Sequence, residues 1–350
     1  MCQSVSRYRA GKVVCLDQAV GTILAHDLTE VKPGCFKGAS FKKGHVIKPH
    51  DLPHLAQMGK RHLYVLDVPP GMLHEDEAAL LLANALAGEG VTYLPNPSEG
   101  KISLVAARDG LFKVNTEALT RFNLVDGVMC ASRHTNTVVH EGEVLAGTRA
   151  IPLIISRSSV DLAVAEAAGG VFSVGKMTAF KTALIITGQE VYSGLIKDRF
   201  ADVLRPKLEQ FGCIIQNVAY APDDADFIAG LIGESINQGA ELLVLSGGLS
   251  VDPDDVTFAG VQLAGATEMV YGAAVLPGAM LLIAQVKDVP IIGVPACGLF
   301  HHHTIFDLVL PRILAGEKIT RLDLAAMAHG GLCLNCTECR FPVCPFGKGG

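Results

Sequence analysis

From Thr178 onward, apolar residues come in short unbroken runs, each followed by a stretch with helical spacing. Thr182–Thr187 (TALIIT) is β-branched and continuous, the pattern of a strand buried on both faces. Leu195–Phe211 repeats apolar residues at Ile196, Phe200, Val203, Leu204, Leu208 and Phe211, which predicts a helix that Pro206 should kink or interrupt. Cys213–Tyr220 is a second strand. Asp223 or Asp224 can cap the helix that follows, whose apolar residues are Phe227, Ile228, Leu231, Ile232 and Ile236, and Gly239 ends it. Glu241–Ser246 (ELLVLS) is a third strand. Met280–Val286 and Pro290–Ala296 form a late strand pair, and Phe306–Gly316 is a closing helix. Strands without polar alternation, separated by helices, predict an α/β fold: a doubly wound parallel sheet covered on both faces.

The rhythm before Thr178 is different. Residues 1–70 read as a strand-rich N-terminal segment of short strands and turns, with His62–Val68 the clearest strand, stopped by Pro69-Pro70-Gly71. Residues 71–176 read as a mixed α+β region. It contains a helix at Glu75–Ala87, strands at Ile102–Ala107, Val125–Ala131 and Gly147–Ser156, and a short helix at Val160–Ala168. The expected organisation is therefore 1–70, 71–176, an α/β domain at 177–316, and a Cys-rich tail at 317–350.

Composition narrows the classes. The chain of 350 residues is 49% hydrophobic and 18% charged, which fits well-buried globular domains. Its formal net charge of −6 includes no basic stripe for nucleic acid. No apolar run reaches the ~18 residues of a membrane span, and the N-terminus lacks the apolar stretch of a secretory signal, so a cytoplasmic protein without membrane contact is expected. Six cysteines are scattered (Cys2, Cys15, Cys35, Cys130, Cys213 and Cys297) and read as small buried hydrophobes. His26, His45, His50, His54 and His62 read as surface residues.

Open parallel sheets bind ligands at the carboxyl ends of their strands. Two loops at that position carry suitable chemistry. Thr187–Gly194 (TGQEVYSG) follows the first strand. Ser246–Asp255 (SGGLSVDPDD) follows the third, and it is unusual in delivering three aspartates within four residues. Gly247 and Gly248 permit positive φ and let backbone N–H groups approach an anion. Asp252, Asp254 and Asp255 add hard oxygen ligands of the kind Mg²⁺ shares with phosphate, and Glu190 on the neighbouring loop could join them. Plain turn chemistry is the alternative for such a loop.

TGQEVYSGLIKD, SGGLSVDPDDVT, VLPGAM (Val275–Met280) and GVPACGLFHHHTIFDLVLPRILAG, in that order, resemble the molybdopterin-binding domain shared by molybdopterin adenylyltransferases and molybdopterin molybdotransferases. The likeness covers about residues 178–316. The upstream AVGTILAHDL resembles the entry segment of the molybdotransferase branch. The resemblance implies that Thr187, Gly188, Ser246, Gly247, Gly248, Ser250, Pro277 and Gly278 line a site for the pterin phosphate. It also implies that Asp254, Asp255 and Glu190 are the catalytic acidic residues, with Asp254 and Asp255 handling Mg²⁺ or the incoming oxyanion. The implied activity is insertion of molybdate, or tungstate, into adenylylated molybdopterin with release of AMP. The alternative is a non-catalytic carrier that hands the pterin or finished cofactor to a recipient molybdoenzyme, and a nucleotide hydrolase is a third reading. A homo-oligomer is expected by the same analogy. Gln189 stands where the family commonly has Asp, Val294–Gly298 (VPACG) replaces its late LPGNP loop, and neither its S-x-M-D-G-Y-A motif nor its C-terminal β-domain is expected within these residues.

The remaining four cysteines crowd into the tail as Cys333-x2-Cys336-x2-Cys339-x4-Cys344-Pro345. That spacing is close to a bacterial ferredoxin run and suits a [4Fe–4S] cluster; a four-thiolate Zn²⁺ site is the rival, and labile thiols without metal a third possibility. His301-His302-His303 opens the closing helix and reads either as a polar loop or as a ligand contact.

Overall fold

The structure, a computed structural model, describes residues 12–32, 36–98, 100–250, 252 and 255–349. Asp254, one of the expected acidic residues, lies outside them, as do Cys2 and Cys35. The chain divides into two compact units, one of residues 1–133 with 139–174 and the other of residues 134–138 with 175–350.

In the first unit, the four-stranded sheet is antiparallel around Lys101–Ala106 and Val144–Ala150, and a 12-residue helix, Glu75–Leu86, is packed into the same core. The single strand expected at Gly147–Ser156 is two, because Val144–Ala150 ends before Ile154–Ser156 pairs with Met72–His74. His74 caps the helix and is 6% exposed. Its Nε2 donates to Ala25 O at 2.5 Å, so Nδ1 is the acceptor for Asp76 N and for Lys43 Nζ at 2.9 Å. Burial outweighs the opposing hydrogen bond to Ala25 O and, with a smaller push from the Lys43 charge, lowers the His74 pKa below its ordinary 6.5. His26 is shifted the same way, again chiefly by burial, and stands edge-on to Tyr64, so it is not the surface residue its sequence context suggests. Below pH 6.5 the unfolded chain therefore takes up protons that the folded unit refuses, and stability falls as pH drops. The melting temperature should decline between neutral pH and about pH 5, and more gently in His74→Gln.

The second unit is built on a six-stranded sheet. Its strands are β1 (Lys181–Thr187), β2 (Ile214–Ala221), β3 (Leu242–Ser246), β4 (Thr267–Tyr271), β5 (Leu282–Val286) and β6 (Val289–Val294). Their order is β2-β1-β3-β6-β5-β4. The first four are parallel neighbours, while β5 runs antiparallel to both β6 and β4. The sheet is thus doubly wound as expected, with an antiparallel pair at one edge. β5 and β6 turn through Lys287 at φ +54°.

Both faces are covered, and the alternation of side chains shows how. Leu184, Ile186, Leu242, Val244 and Ile292 join Leu204 and Leu208 of α1 (Phe200–Glu209) and Phe306, Val309 and Leu310 of α4 (Ile305–Leu314). Ala183, Ile185, Leu243, Leu245 and Ile291 join Ile228 and Ile232 of α2 (Ala225–Asn237) and Val261 of α3 (Thr257–Leu263). Asp224 is the cap of α2, accepting from Phe227 N at 2.8 Å. The expected helix from Leu195 begins only at Phe200, and Leu195 and Ile196 lie outside it, exposed. Pro206 is accommodated inside α1. The tail belongs to this unit: Leu324 of α5 (Arg321–Ala326) and Phe346 are buried in the core shared with α4.

Candidate functional site

The strand order creates a crevice at one place. After β1 the chain crosses to β2 on one side; after β3 it leaves toward β4 on the other. The helix after β1 (α1) and the helix after β3 (α3) lie on opposite faces. The carboxyl ends of neighbouring β1 and β3 therefore form a topological switch point, the place where loops part and a ligand can enter. The β6 end and the β4–β5 connection open on the same edge, since β6 and β4 run in the direction of β1 and β3. That edge carries Thr187–Glu190, Ser246–Ser250, Pro277–Gly278 and the loop before α4. The first three hold expected site residues, and the fourth holds the three histidines.

The β3 loop is held by hydroxyls. Thr187 Oγ1 lies 3.0 Å from both Ser246 O and Thr257 Oγ1, and Thr257 Oγ1 donates to Gly247 O at 3.0 Å. Thr257 is fully buried. Gly247 (φ +88°) and Gly248 (φ +56°) are in the left-handed region. A side chain at Gly247 would collide with the Thr187 carbonyl, and one at Gly248 would stand 2.5 Å from Thr257 Oγ1. The turn is thus a backbone-lined cradle that only glycine closes. At its start, Ser246 Oγ is fully buried and has no hydrogen-bond partner among the described residues. A glycine turn without side chains and an orphaned hydroxyl at its start fit an anionic group such as a phosphate.

Of the acidic residues, Asp255 is half-buried and accepts from Asp252 N at 3.1 Å, so its carboxylate closes a turn on its own loop. Glu190 is exposed in a short helical turn, Gln189–Tyr192, after Gly188. Pro277 and Gly278 are buried against the start of α4: Ile305 N donates to Pro277 O at 3.2 Å, and a side chain at Gly278 would strike Ile305. Ser250 is exposed beside the cradle.

Three contributors escape a reading of the motifs. Thr257 locks the cradle through a hydroxyl on the next helix. Tyr271 donates to Leu249 O at 2.6 Å, and burial, with the Asp255 charge, raises its pKa. Asp223, just past the end of β2, accepts from Gln189 N at 2.9 Å, which sets a carboxylate against the loop where Gln189 supplies none. Asp223 had a signal in the acidic pair Asp223-Asp224 at a strand end, and Thr257 closes the SGGLSVDPDDVT stretch without being distinguished within it; Tyr271 had none.

Among known families, residues 183–315 match the one described as "Probable molybdopterin binding domain". Residues 183–315 are a domain of that family. Residues 13–67 match a second, described as "Domain of unknown function (DUF8806)". A "Molybdopterin molybdenumtransferase" of Synechococcus elongatus is 29% identical over 109 residues, which is 29% of this chain and 27% of that protein. A "Molybdenum cofactor biosynthesis bifunctional protein" of Chlorobaculum tepidum is 29% identical over 76 residues, 22% of this chain and 24% of that protein. The chain thus matches about a quarter of the length of either relative. The solved molybdopterin biosynthesis enzyme MoaB of Thermus thermophilus aligns with 39% of this chain and 98% of its own, at 17% identity and a TM-score of 0.33.

Among the described residues, no three His, Cys, Asp or Glu side chains are arranged to hold a single metal ion, and no helix is long and apolar enough to cross a membrane. Cys130 and Cys213 are buried; burial pushes the Cys130 thiol up to about 12 and the Cys213 thiol upward as well. Cys15 is exposed, contrary to the reading of the scattered cysteines as core residues.

Proposed function

We propose that the switch-point crevice binds adenylylated molybdopterin and that the chain acts in molybdenum cofactor biosynthesis as a molybdotransferase-like enzyme, inserting molybdate or tungstate with release of AMP. The observation that carries this reading is the Gly247–Gly248 cradle with the buried, unpartnered Ser246 hydroxyl at the switch point of a domain of this family. Backbone N–H groups of the cradle and the Ser246 and Ser250 hydroxyls would receive the phosphates. Thr187 and Gly188 form the facing wall, and Pro277 and Gly278 the far rim. Asp255, with Asp254 and Glu190, would hold Mg²⁺, which supplies charge neutralisation of the phosphoanhydride and polarisation of its phosphorus. The chain's own part is then to orient the nucleotide and stabilise developing charge, without a side-chain nucleophile. Supply of the product to a recipient molybdoenzyme, assembly as a homo-oligomer, and a thiolate metal site in the tail, iron–sulfur or zinc, belong to the same reading.

A carrier that binds without turnover is the second reading. It is favoured by Gln189 in place of an aspartate and by the engagement of Asp255 with Asp252 N. One assay separates the two. The purified chain is incubated with adenylylated molybdopterin, Mg²⁺ and molybdate, and AMP is followed. Molybdate-dependent AMP release is expected, falling on the order of a hundredfold or more in Asp255→Ala. Tight binding without AMP release establishes the carrier, and failure to bind any pterin nucleotide overturns both.

A further inference from the structure

The cysteine tail is stitched to two of the loops that form the rim of the crevice. Leu276 N donates to Gly331 O at 2.8 Å, and Cys333 N donates back to Leu276 O at 2.8 Å. Leu276 and Leu332 thus make a parallel bridge immediately before the Pro277–Gly278 turn. On the other side, the Phe341 ring stacks on His303 with centroids 4.3 Å apart and planes at 28°. Phe346, 3% exposed, anchors the end of the tail in the core and meets Phe341 edge-on at 6.2 Å. Gly347 N closes the arrangement by donating to Gly330 O at 3.0 Å.

Between these anchors is a cavity of about 180 Å³. Cys333, Cys336, Cys339 and Cys344 all line it, together with His301–His303 and Arg340. None of the four cysteines is in a disulfide. Asn335, at φ +49°, turns the chain between the first two. The histidines do not continue α4; they lie in the irregular segment before its cap, Thr304, and form one wall.

The size and spread of the site discriminate between ligands. Zn²⁺ draws four thiolates to about 2.3 Å from one centre, so the sulfurs of a zinc site crowd together. Here no three metal-ligating side chains among the described residues are placed to hold one metal ion, although all four cysteines line one cavity. A cluster accepts that arrangement, because each cysteine takes a different iron and the body between them has volume of its own. The space is on the order of ten times what a single water needs. Arg340, a cation, lines the same cavity as cysteines that must lose their protons to bind.

We propose that Cys333, Cys336, Cys339 and Cys344 bind a [4Fe–4S] cluster in this cavity, and that the cluster holds the Pro277–Gly278 turn in place through Cys333 and Leu276. The first half stands on the cavity alone; the second rests on the pterin reading of the rim. The four thiols release their protons on binding, and no change in oxidation state is required of them.

The full chain, purified without oxygen, is incubated with ferrous and ferric iron and sulfide. Iron and sulfide in equal amounts, four of each per chain, are expected, with visible absorbance that dithionite bleaches. Cys336→Ser and Cys339→Ser, at exposed positions, should lose both signals and keep the far-ultraviolet circular dichroism of the parent, while Cys15→Ser should keep the cluster. One zinc per chain and no iron uptake, in protein made with either metal in excess, would overturn the cluster. The coupling is read separately: pterin-nucleotide affinity should be about tenfold weaker in cluster-free chain. Equal affinity with and without the cluster overturns the coupling only. A cluster-loaded chain that binds no pterin nucleotide overturns the pterin reading and leaves the cluster standing.

Discussion

Alanine at Gly247 is expected to weaken pterin-nucleotide binding by up to about a hundredfold, the size of the rate loss that a misplacement of about an ångström causes in positioned reactions. The added methyl would drive into the carbonyl of Thr187, so either the β1 end or the β3 loop must shift. The same substitution has a conformational cost, since φ is +88° and a left-handed residue with a side chain costs about 1–2 kcal/mol. Gly265 separates the two effects. It has nearly the same φ, +84°, and no atom within 4 Å of where its side chain would stand. Gly265→Ala should therefore lose only the conformational part of the stability and none of the affinity. Isothermal titration with a pterin nucleotide, beside urea unfolding of both variants, makes the comparison. If Gly247→Ala binds as Gly265→Ala does, the close approach of Thr187 and the cradle is not what the ligand uses.

The parts of the fold legible in the sequence are those whose signal is local. β1, β3 and β6 are continuous apolar runs because both faces of the sheet are covered, and such runs need no knowledge of their partners. β4 (Thr267–Tyr271) escaped because it is an edge strand of half-exposed residues without a run or an alternation. α3 escaped because it is short and contains Gly260, which reads as a break; the structure needs glycine there, since a side chain would meet Ile228 at 2.7 Å. The false extension of α1 back to Leu195 has the opposite cause: Leu195 and Ile196 fit the helical period yet are exposed before it begins.

The site divides in the same way. Gly247 and Gly248 announce themselves by type and position. Thr257 does not, because an ordinary helix-start threonine becomes a site residue only when folding brings its hydroxyl to Thr187 and Gly247 O. The link between Cys333 and Leu276 is equally invisible, since it is a backbone pairing between distant segments with no side-chain signature.

Removing the Asp307 carboxylate should be among the costliest single changes in the α/β unit. Both oxygens bind Lys207 Nζ, at 2.6 and 2.7 Å, and one accepts from Thr304 N at 2.7 Å to cap α4. Lys207 Nζ also donates to His302 O at 2.6 Å, so the pair pins the histidine loop. The two side chains are 15% and 6% exposed. Asp307→Ala leaves the ammonium without its partner, a loss of about 3–5 kcal/mol for a buried pair. Burial opposes ionisation of Asp307, but the nearby His303 ring, 3.4 Å away, and the charge and hydrogen bonds of Lys207 outweigh it and hold the carboxyl below its ordinary 3.8. A depressed acid contributes stability that is complete above pH 3.8 and is lost as pH falls through the folded value. Urea unfolding from neutral pH down to about pH 3 should therefore show a steep acid loss in the parent and a shallower one in Asp307→Asn. Asp307→Leu combined with Lys207→Met should recover most of the stability, because an apolar pair avoids desolvating two charges. It should not restore the tie to His302 O. Iron uptake by the tail in that double variant then distinguishes a loop that must be pinned to close the cysteine-lined cavity from one that merely sits beside it.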